Sequence, residues 1–124
     1  MATWLELAQD NSAAAHVLLA SGRFRSSVSR SYYAAYAGIT HLLVGRVAFP
    51  AGRNNPTHES IAGHIANSLQ GLTPEQRRAL KTDFSVLLKA RVVADYIPGH
   101  SCDDEIARNA RLRSDVILKE IGLL

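Results

Sequence analysis

The chain has 124 residues, of which 47% are hydrophobic and 20% are charged, and its formal net charge is +3. This length is enough to bury a core, so we expect a single domain over residues 1–124. The modest positive charge does not by itself indicate a nucleic-acid-binding protein, and no apolar run approaches the roughly 18 residues that a transmembrane helix requires.

The cysteine content and the N-terminal residues indicate the cellular compartment of the protein. Cys102 is the only cysteine, so it cannot form an internal disulfide, which is compatible with a reducing environment. The N-terminus has neither the positive charges nor the short apolar segment of a signal peptide. We therefore expect a cytoplasmic protein that does not associate with membranes.

The first helix is predicted to begin after Thr3, because Thr3 and Glu6 have the spacing of a capping box. Gly22 is typical of the position just beyond a helix end. Between these points, apolar residues recur at near-helical spacing at Trp4, Leu7, Ala8, Ala14, Ala15, Leu18 and Leu19.

The second helix, predicted from about Phe24 to Val44, is the segment around which the rest of the chain is organised. One helical stripe carries Val28, Tyr32, Tyr36, Ile39 and Leu43. Alanine and glycine occupy much of the remaining surface, so neighbouring backbones can approach closely. A helix that is apolar or small on most faces lies in the middle of a bundle, and we expect Tyr32 and Tyr36 to be buried.

A long loop follows from Gly45 to Thr57, because this segment is rich in proline, glycine and asparagine. A third, shorter helix is predicted from about His58 to Leu69. Long loops in compact domains are often functional, so this connection is a candidate for part of a site.

Two further helices complete the chain. Thr73, Pro74 and Gln76 predict the start of a fourth helix that runs to about Tyr96. Ser101 is the predicted cap of the last helix, whose first turn is acidic, as the helix dipole favours. Alanine is abundant and hairpin signals are scarce. We therefore predict an all-α fold, an up-and-down helical bundle of four to five helices.

Arginines cluster near the start of the second helix, at Arg23, Arg25 and Arg30. The planar guanidinium is well suited to binding phosphate or carboxylate in two-pronged fashion. Such clusters are also commonly solvated helix faces or members of ion pairs, and both interpretations stay open at this point.

A polar network is predicted between the second and fourth helices. Arg91 and Asp95 are four residues apart and therefore face each other on one helix. Arg91 lies on an apolar side, where an arginine needs partners. The predicted members are Arg91, Asp95, Arg30 and a tyrosine hydroxyl from Tyr33 or Tyr96. A structural role fits this network better than a catalytic one.

Three sequence blocks follow one another between roughly residues 3 and 121. The first is RSYYAAY, residues 30–36, with a leucine pair at 42–43; the second is Thr57-His58; the third is RVVADY, residues 91–96. In order and spacing, these blocks resemble the HEPN domain family of small all-α proteins.

The resemblance implies a helical bundle that usually forms a homodimer and a role connected with nucleotides or RNA. Many family members lie beside a small nucleotidyltransferase in toxin–antitoxin or defence modules. We therefore favour a dimeric binding module that associates with nucleotide or RNA and has a nucleotidyltransferase as its partner.

The alternative function is that of a metal-independent endoribonuclease, because some family members use an Arg-x4-His motif and Arg53 and His58 have this spacing. The arginine would hold the scissile phosphate, and the histidine would move protons at the ribose 2′-hydroxyl or the leaving oxygen. A simpler interpretation is that His58 only opens the third helix and bonds to the loop. His58 and His64 do not have the spacing of metal ligands on one helix face, so we expect neither a metal nor a cofactor.

Overall fold

The computed structural model describes residues 1–124 and contains five α-helices and no strand. In chain order they are α1 (Trp4–Ala20), α2 (Phe24–Leu43), α3 (Ile61–Asn67), α4 (Pro74–Tyr96) and α5 (Asp104–Glu120). A 3₁₀ turn, His58–Ser60, leads directly into α3. The predicted all-α fold is confirmed.

Local sequence signals set the starts of α1 and α4. Thr3 and Glu6 form the predicted capping box at α1, and Thr73 and Gln76 form a second one at α4, where Pro74 is the first helical residue. These reciprocal bonds satisfy backbone N–H groups that have no partner inside the helix.

Helix α2 lies in the middle of the bundle and packs against α1, α4 and α5. Tyr32 is 0% exposed and Tyr36 is 3% exposed, so the predicted burial of both tyrosines is confirmed. Gly38 allows the closest approach, because a Cβ at this position would lie 2.7 Å from Cδ2 of Leu118 on α5. The small residues of α2 therefore allow α5 to pack directly against its backbone.

Two predicted boundaries are wrong. The cap of α5 is Asp103 and not Ser101, because the Asp103 side chain accepts a hydrogen bond from the backbone N–H of Ile106. The third helical segment starts at His58 as predicted, but its first turn is 3₁₀ and its α-helical part ends at Asn67. Helix ends of this kind depend on one or two hydrogen bonds, which the apolar pattern does not specify.

The arginine cluster divides on folding. The Arg25 guanidinium donates hydrogen bonds to five backbone carbonyls at and beyond the C-terminal end of α4. Arg23 is exposed, and Arg30 is half-buried. Of the three, Arg25 is the one that joins the start of α2 to the end of α4.

No helix combines enough length with enough apolar character to cross a bilayer.

Candidate functional site

His58 and two tyrosines of α2 form the centre of the site. The His58 ring packs against the Tyr36 ring with 4.8 Å between the centroids and 31° between the ring planes, and its centroid lies 5.6 Å from that of the Tyr32 ring. The Tyr32 hydroxyl and His58 Nδ1 are 2.5 Å apart and share a hydrogen bond. His58 is thus held by α2, although the two tyrosines precede it by more than twenty residues.

The loop that precedes His58 is fixed to α2 through Pro56. The Tyr36 hydroxyl donates to the Pro56 carbonyl over 2.6 Å, and Arg53 Nη2 donates to the same oxygen over 3.3 Å. Pro56 is itself buried. Because this residue lies two positions before His58, its attachment places the histidine ring against the tyrosines.

The electrostatics around His58 favour its neutral form. Burial lowers the pKa of His58, and the positive charges of Arg91 and Arg53 lower this pKa further, although Glu59 opposes them. Burial also raises the pKa of Tyr32, so its hydroxyl keeps the proton. We assign Tyr32 as the donor to Nδ1 from this arrangement, which leaves the proton of the neutral imidazole on Nε2.

A cavity of about 330 Å³ opens beside His58, and we refer to it as the Trp4 pocket. Its lining comprises Trp4, Leu7, Asn11, Arg30, Tyr33, Tyr36, Ala37, Asn55 and His58. No carboxylate lines it. The pocket therefore combines aromatic rings, amides and one arginine, a set that suits a planar ligand carrying hydrogen-bond acceptors.

The polar side chains that line the Trp4 pocket differ in how many of their hydrogen bonds are already made within the protein. Asn11 donates to the Leu7 carbonyl over 2.8 Å and accepts from Arg30 Nη1 over 3.0 Å. Asn55 Oδ1 accepts from Arg53 Nε over 3.0 Å, whereas its Nδ2 has no protein partner. Asn11 therefore serves to position Arg30, while Asn55 retains a free donor.

Arg53 lies on the long loop and His58 opens the 3₁₀ turn that follows it, and the side chains of this predicted pair make no hydrogen bond with each other. Arg53 is exposed and its guanidinium is engaged by Asn55 and the Pro56 carbonyl. His58 lines the Trp4 pocket, whereas Arg53 does not. In this arrangement His58 can contact a ligand in the pocket, whereas Arg53 cannot.

The predicted polar network assembles around Arg91, whose side chain is 12% exposed. Its Nε pairs with Asp95 Oδ2 over 3.1 Å, and its Nη2 donates to the hydroxyls of Tyr33 (2.8 Å) and Tyr96 (3.2 Å). The guanidinium also lies over the rings of Tyr32, Tyr33 and Tyr96, 5.1 to 5.6 Å from their centroids.

Arg30 differs from the expectation, because it has no hydrogen bond to Arg91, Asp95 or a tyrosine hydroxyl. It bonds to Asn11 instead and lies 5.4 Å from the centroid of the Tyr33 ring. The reason is its place on α2: Arg30 faces α1, while Ser29 is the residue of α2 that reaches Asp95, over 3.2 Å.

Sequence reasoning missed Trp4, Asn11 and Asn55 as lining residues. In the sequence, Trp4 is one of the apolar residues that recur along the first helix, Asn11 is a polar residue of the same helix, and Asn55 belongs to the predicted loop. The one sequence signal for this pocket is the single tryptophan next to the first helix cap, because tryptophan is rarely fully buried and can therefore line a cavity.

Protonation of His58 should make the fold pH-dependent. Because the pKa of His58 is below its ordinary value of about 6.5 in the folded state, the unfolded chain binds this proton first as pH falls. The free energy of unfolding should therefore decrease as pH is lowered through and below 6.5. We expect urea unfolding to show a steeper loss between pH 7 and pH 5 in the wild type than in His58→Asn, which keeps an acceptor for Tyr32 but does not titrate. The other four histidines are common to both proteins, so equal slopes would contradict the assignment.

The fold and the site define a small all-α domain with a half-buried histidine held by tyrosines of its central helix. The chain belongs to the HEPN domain family, whose family model matches residues 1–123. It is therefore a nucleotide- or RNA-related module. Comparison with curated proteins and with solved structures gives no significant match.

Proposed function

We propose that this chain is a nucleotide-binding HEPN module that takes a nucleobase into the Trp4 pocket. The observation that carries the proposal is the lining of this cavity, where aromatic rings, an amide donor and a histidine come together without a carboxylate. Aromatic side chains stack on any base with an energy of about 1–3 kcal/mol. Arg30 adds a positive charge that suits the phosphate attached to the same nucleotide.

The free polar groups favour a base with adjacent acceptors. Asn55 Nδ2 and, in the tautomer assigned above, His58 Nε2 are both donors without a protein partner. Guanine offers N7 and O6 as neighbouring acceptors on one edge. Guanine nucleotides are therefore the ligand class that we propose first.

We further propose that the module acts as a homodimer and has a nucleotidyltransferase as its partner in a toxin–antitoxin or defence-type system. HEPN domains commonly dimerise, and the resemblance of the three sequence blocks supports this setting. Small residues on α2 are used inside the bundle, so the dimer surface has to come from another element.

The endoribonuclease role of Arg53 and His58 is a second candidate, favoured by the lowered pKa of His58, since a general base must be neutral. The base would need its lone pair on Nε2, so Nδ1 would have to donate to the Tyr32 hydroxyl instead. Arg53 Nη1 has no protein partner, but Arg53 does not line the pocket beside His58, so its side chain would have to turn toward a phosphate held there. The binding function requires neither change, and we therefore rank it first.

The chain's only tryptophan makes the binding proposal directly testable. We expect GMP to change the fluorescence of Trp4 in a saturable manner, because Trp4 lines the pocket. The Asn55→Ala variant should bind GMP about tenfold more weakly, since leaving one buried acceptor of the base without its hydrogen bond costs about 1–3 kcal/mol. Asn54→Ala is the matched control, because this neighbouring side chain is exposed and lies outside the pocket.

Two outcomes would count against the binding function. One is the absence of a saturable fluorescence change with GMP, and the other is equal affinity in the two asparagine variants. Cleavage of single-stranded RNA in the presence of EDTA, lost in His58→Ala, would instead support the ribonuclease.

A further inference from the structure

A second cavity, of about 350 Å³, lies along α2 next to the first, and we refer to it as the Ser26 pocket. Its lining residues are Arg25, Ser26, Ser29, Arg30, Ala94 and Asp95. Arg30 lines both this cavity and the Trp4 pocket. The two cavities are therefore neighbours, and one arginine separates them.

The two cavities follow a single stripe of α2. Ser26, Arg30, Tyr33 and Ala37 are spaced at four, three and four residues, which places them on one helix face. The stripe is about 16 Å long at 1.5 Å per residue. This length is several times the roughly 3.4 Å that separates neighbouring nucleotides in one strand of a DNA duplex, so two adjoining nucleotides of an extended strand can reach the two cavities.

The charges along the stripe favour an anion at Arg30. Arg30 has no carboxylate within the 4.0 Å of an ion pair, and its only protein hydrogen bond is to the neutral amide of Asn11. Arg25 is bonded to carbonyls rather than to acids. Asp95 is the one carboxylate that faces the Ser26 pocket, and its Oδ2 already accepts from Arg91 Nε and from the Ser29 hydroxyl.

We propose that the ligand is single-stranded RNA of at least two nucleotides. One base occupies the Trp4 pocket, the linking phosphate lies on Arg30, and the neighbouring nucleotide occupies the Ser26 pocket. This inference rests on the proposed function, because it takes the first base as bound in the Trp4 pocket. Arginine suits the linking phosphate because its free N–H groups can bond two phosphate oxygens at once.

The test compares guanosine, which has no phosphate, with the dinucleotide GpU, both followed by Trp4 fluorescence. In the wild type we expect GpU to bind about tenfold more tightly, the effect of one hydrogen-bonded charge contact. Its affinity should fall with salt at a logarithmic slope of about −0.7, as expected for one phosphate of a single strand. Guanosine binding should be independent of salt.

Ser26→Asp alters the second cavity beside the proposed phosphate position on Arg30. Ser26 is exposed and lies in the first turn of α2, where the helix dipole favours a negative charge. The Ser26→Asp substitution should therefore preserve the fold. We expect this variant to lose the advantage of GpU over guanosine, because the new carboxylate repels the phosphate and pairs with Arg30. Ser85→Asp, at an exposed serine on α4 outside both cavities, is the control and should retain the advantage.

The outcomes separate this inference from the proposed function. Arg30→Gln, which can keep a hydrogen bond to Asn11, should also remove the salt dependence of GpU binding. If guanosine and GMP bind but GpU gains nothing, or if its gain survives both Ser26→Asp and Arg30→Gln, the second subsite is refuted while the Trp4 pocket stands. If guanosine and GMP both fail to bind, the proposed function itself fails.

Discussion

Replacing Arg91 by alanine is expected to lower the free energy of unfolding by about 2–3 kcal/mol, because the variant leaves Asp95 without its ionic partner in a partly buried place. The Arg91 side chain is 12% exposed and that of Asp95 is 27% exposed. The variant also removes the hydrogen bonds to Tyr33 and Tyr96 and the contact of the guanidinium with three aromatic rings. Thermal unfolding should show a decrease in Tm on the order of 10 °C.

Arg78→Ala is the matched control, because Arg78 lies on the same helix but is exposed. Its Tm should stay within about 2 °C of the wild type. Arg91→Lys should fall between the two, since lysine keeps the charge but cannot donate to Asp95 and a tyrosine in the same planar geometry. An Arg91→Ala protein as stable as the wild type would refute the structural role of this network.

Replacing Arg25 by alanine should destabilise the fold by about 2 kcal/mol, because its guanidinium is the only donor to the Ala94 carbonyl and adds further hydrogen bonds to the carbonyls of Val93 and Ile97. The loss of stability should affect the end of α4 in particular as well as the whole fold. Hydrogen exchange should accelerate most strongly in the last turn of α4 and at the residue that follows it, because Val93, Ala94 and Ile97 contribute three of the five accepting carbonyls.

Arg23→Ala serves as the control for Arg25, since Arg23 lies two residues earlier, is exposed and makes no capping hydrogen bond through its side chain. Urea unfolding should give nearly the same midpoint for Arg23→Ala and the wild type. Equal destabilisation by the two substitutions would show that net charge, and not the carbonyl contacts of Arg25, is responsible.

The three arginines near the start of α2 have different surroundings in the folded protein. Arg25 binds backbone carbonyls inside the fold, Arg23 is solvated, and Arg30 is half-buried without an acidic partner. One cluster therefore contains a structural residue, a surface residue and a candidate ligand-binding residue. Composition alone could not distinguish them, since all three carry the same group.

The elements that could be predicted are those set by neighbours in the chain. The capping boxes at Thr3 and Thr73 and the bounds of α4 depend on residues three or four positions apart, and all were predicted correctly. The cap of α5 was assigned to Ser101 instead of Asp103, because several residues there are able to cap a helix and only the backbone conformation selects one.

The sequence by itself determined the helices, the central place of α2 and the burial of Tyr32 and Tyr36, because helical periodicity is a short-range property. The tertiary structure decided which side chains meet: Tyr32 with His58, Trp4 and Asn55 in one pocket, and Arg30 with Asn11 rather than Asp95. These contacts join parts of the chain that are 19 to 51 positions apart, so they depend on how the helices pack and on the path of the long loop. No local pattern encodes that packing, and for this reason the residues of the pocket could be identified only from the fold.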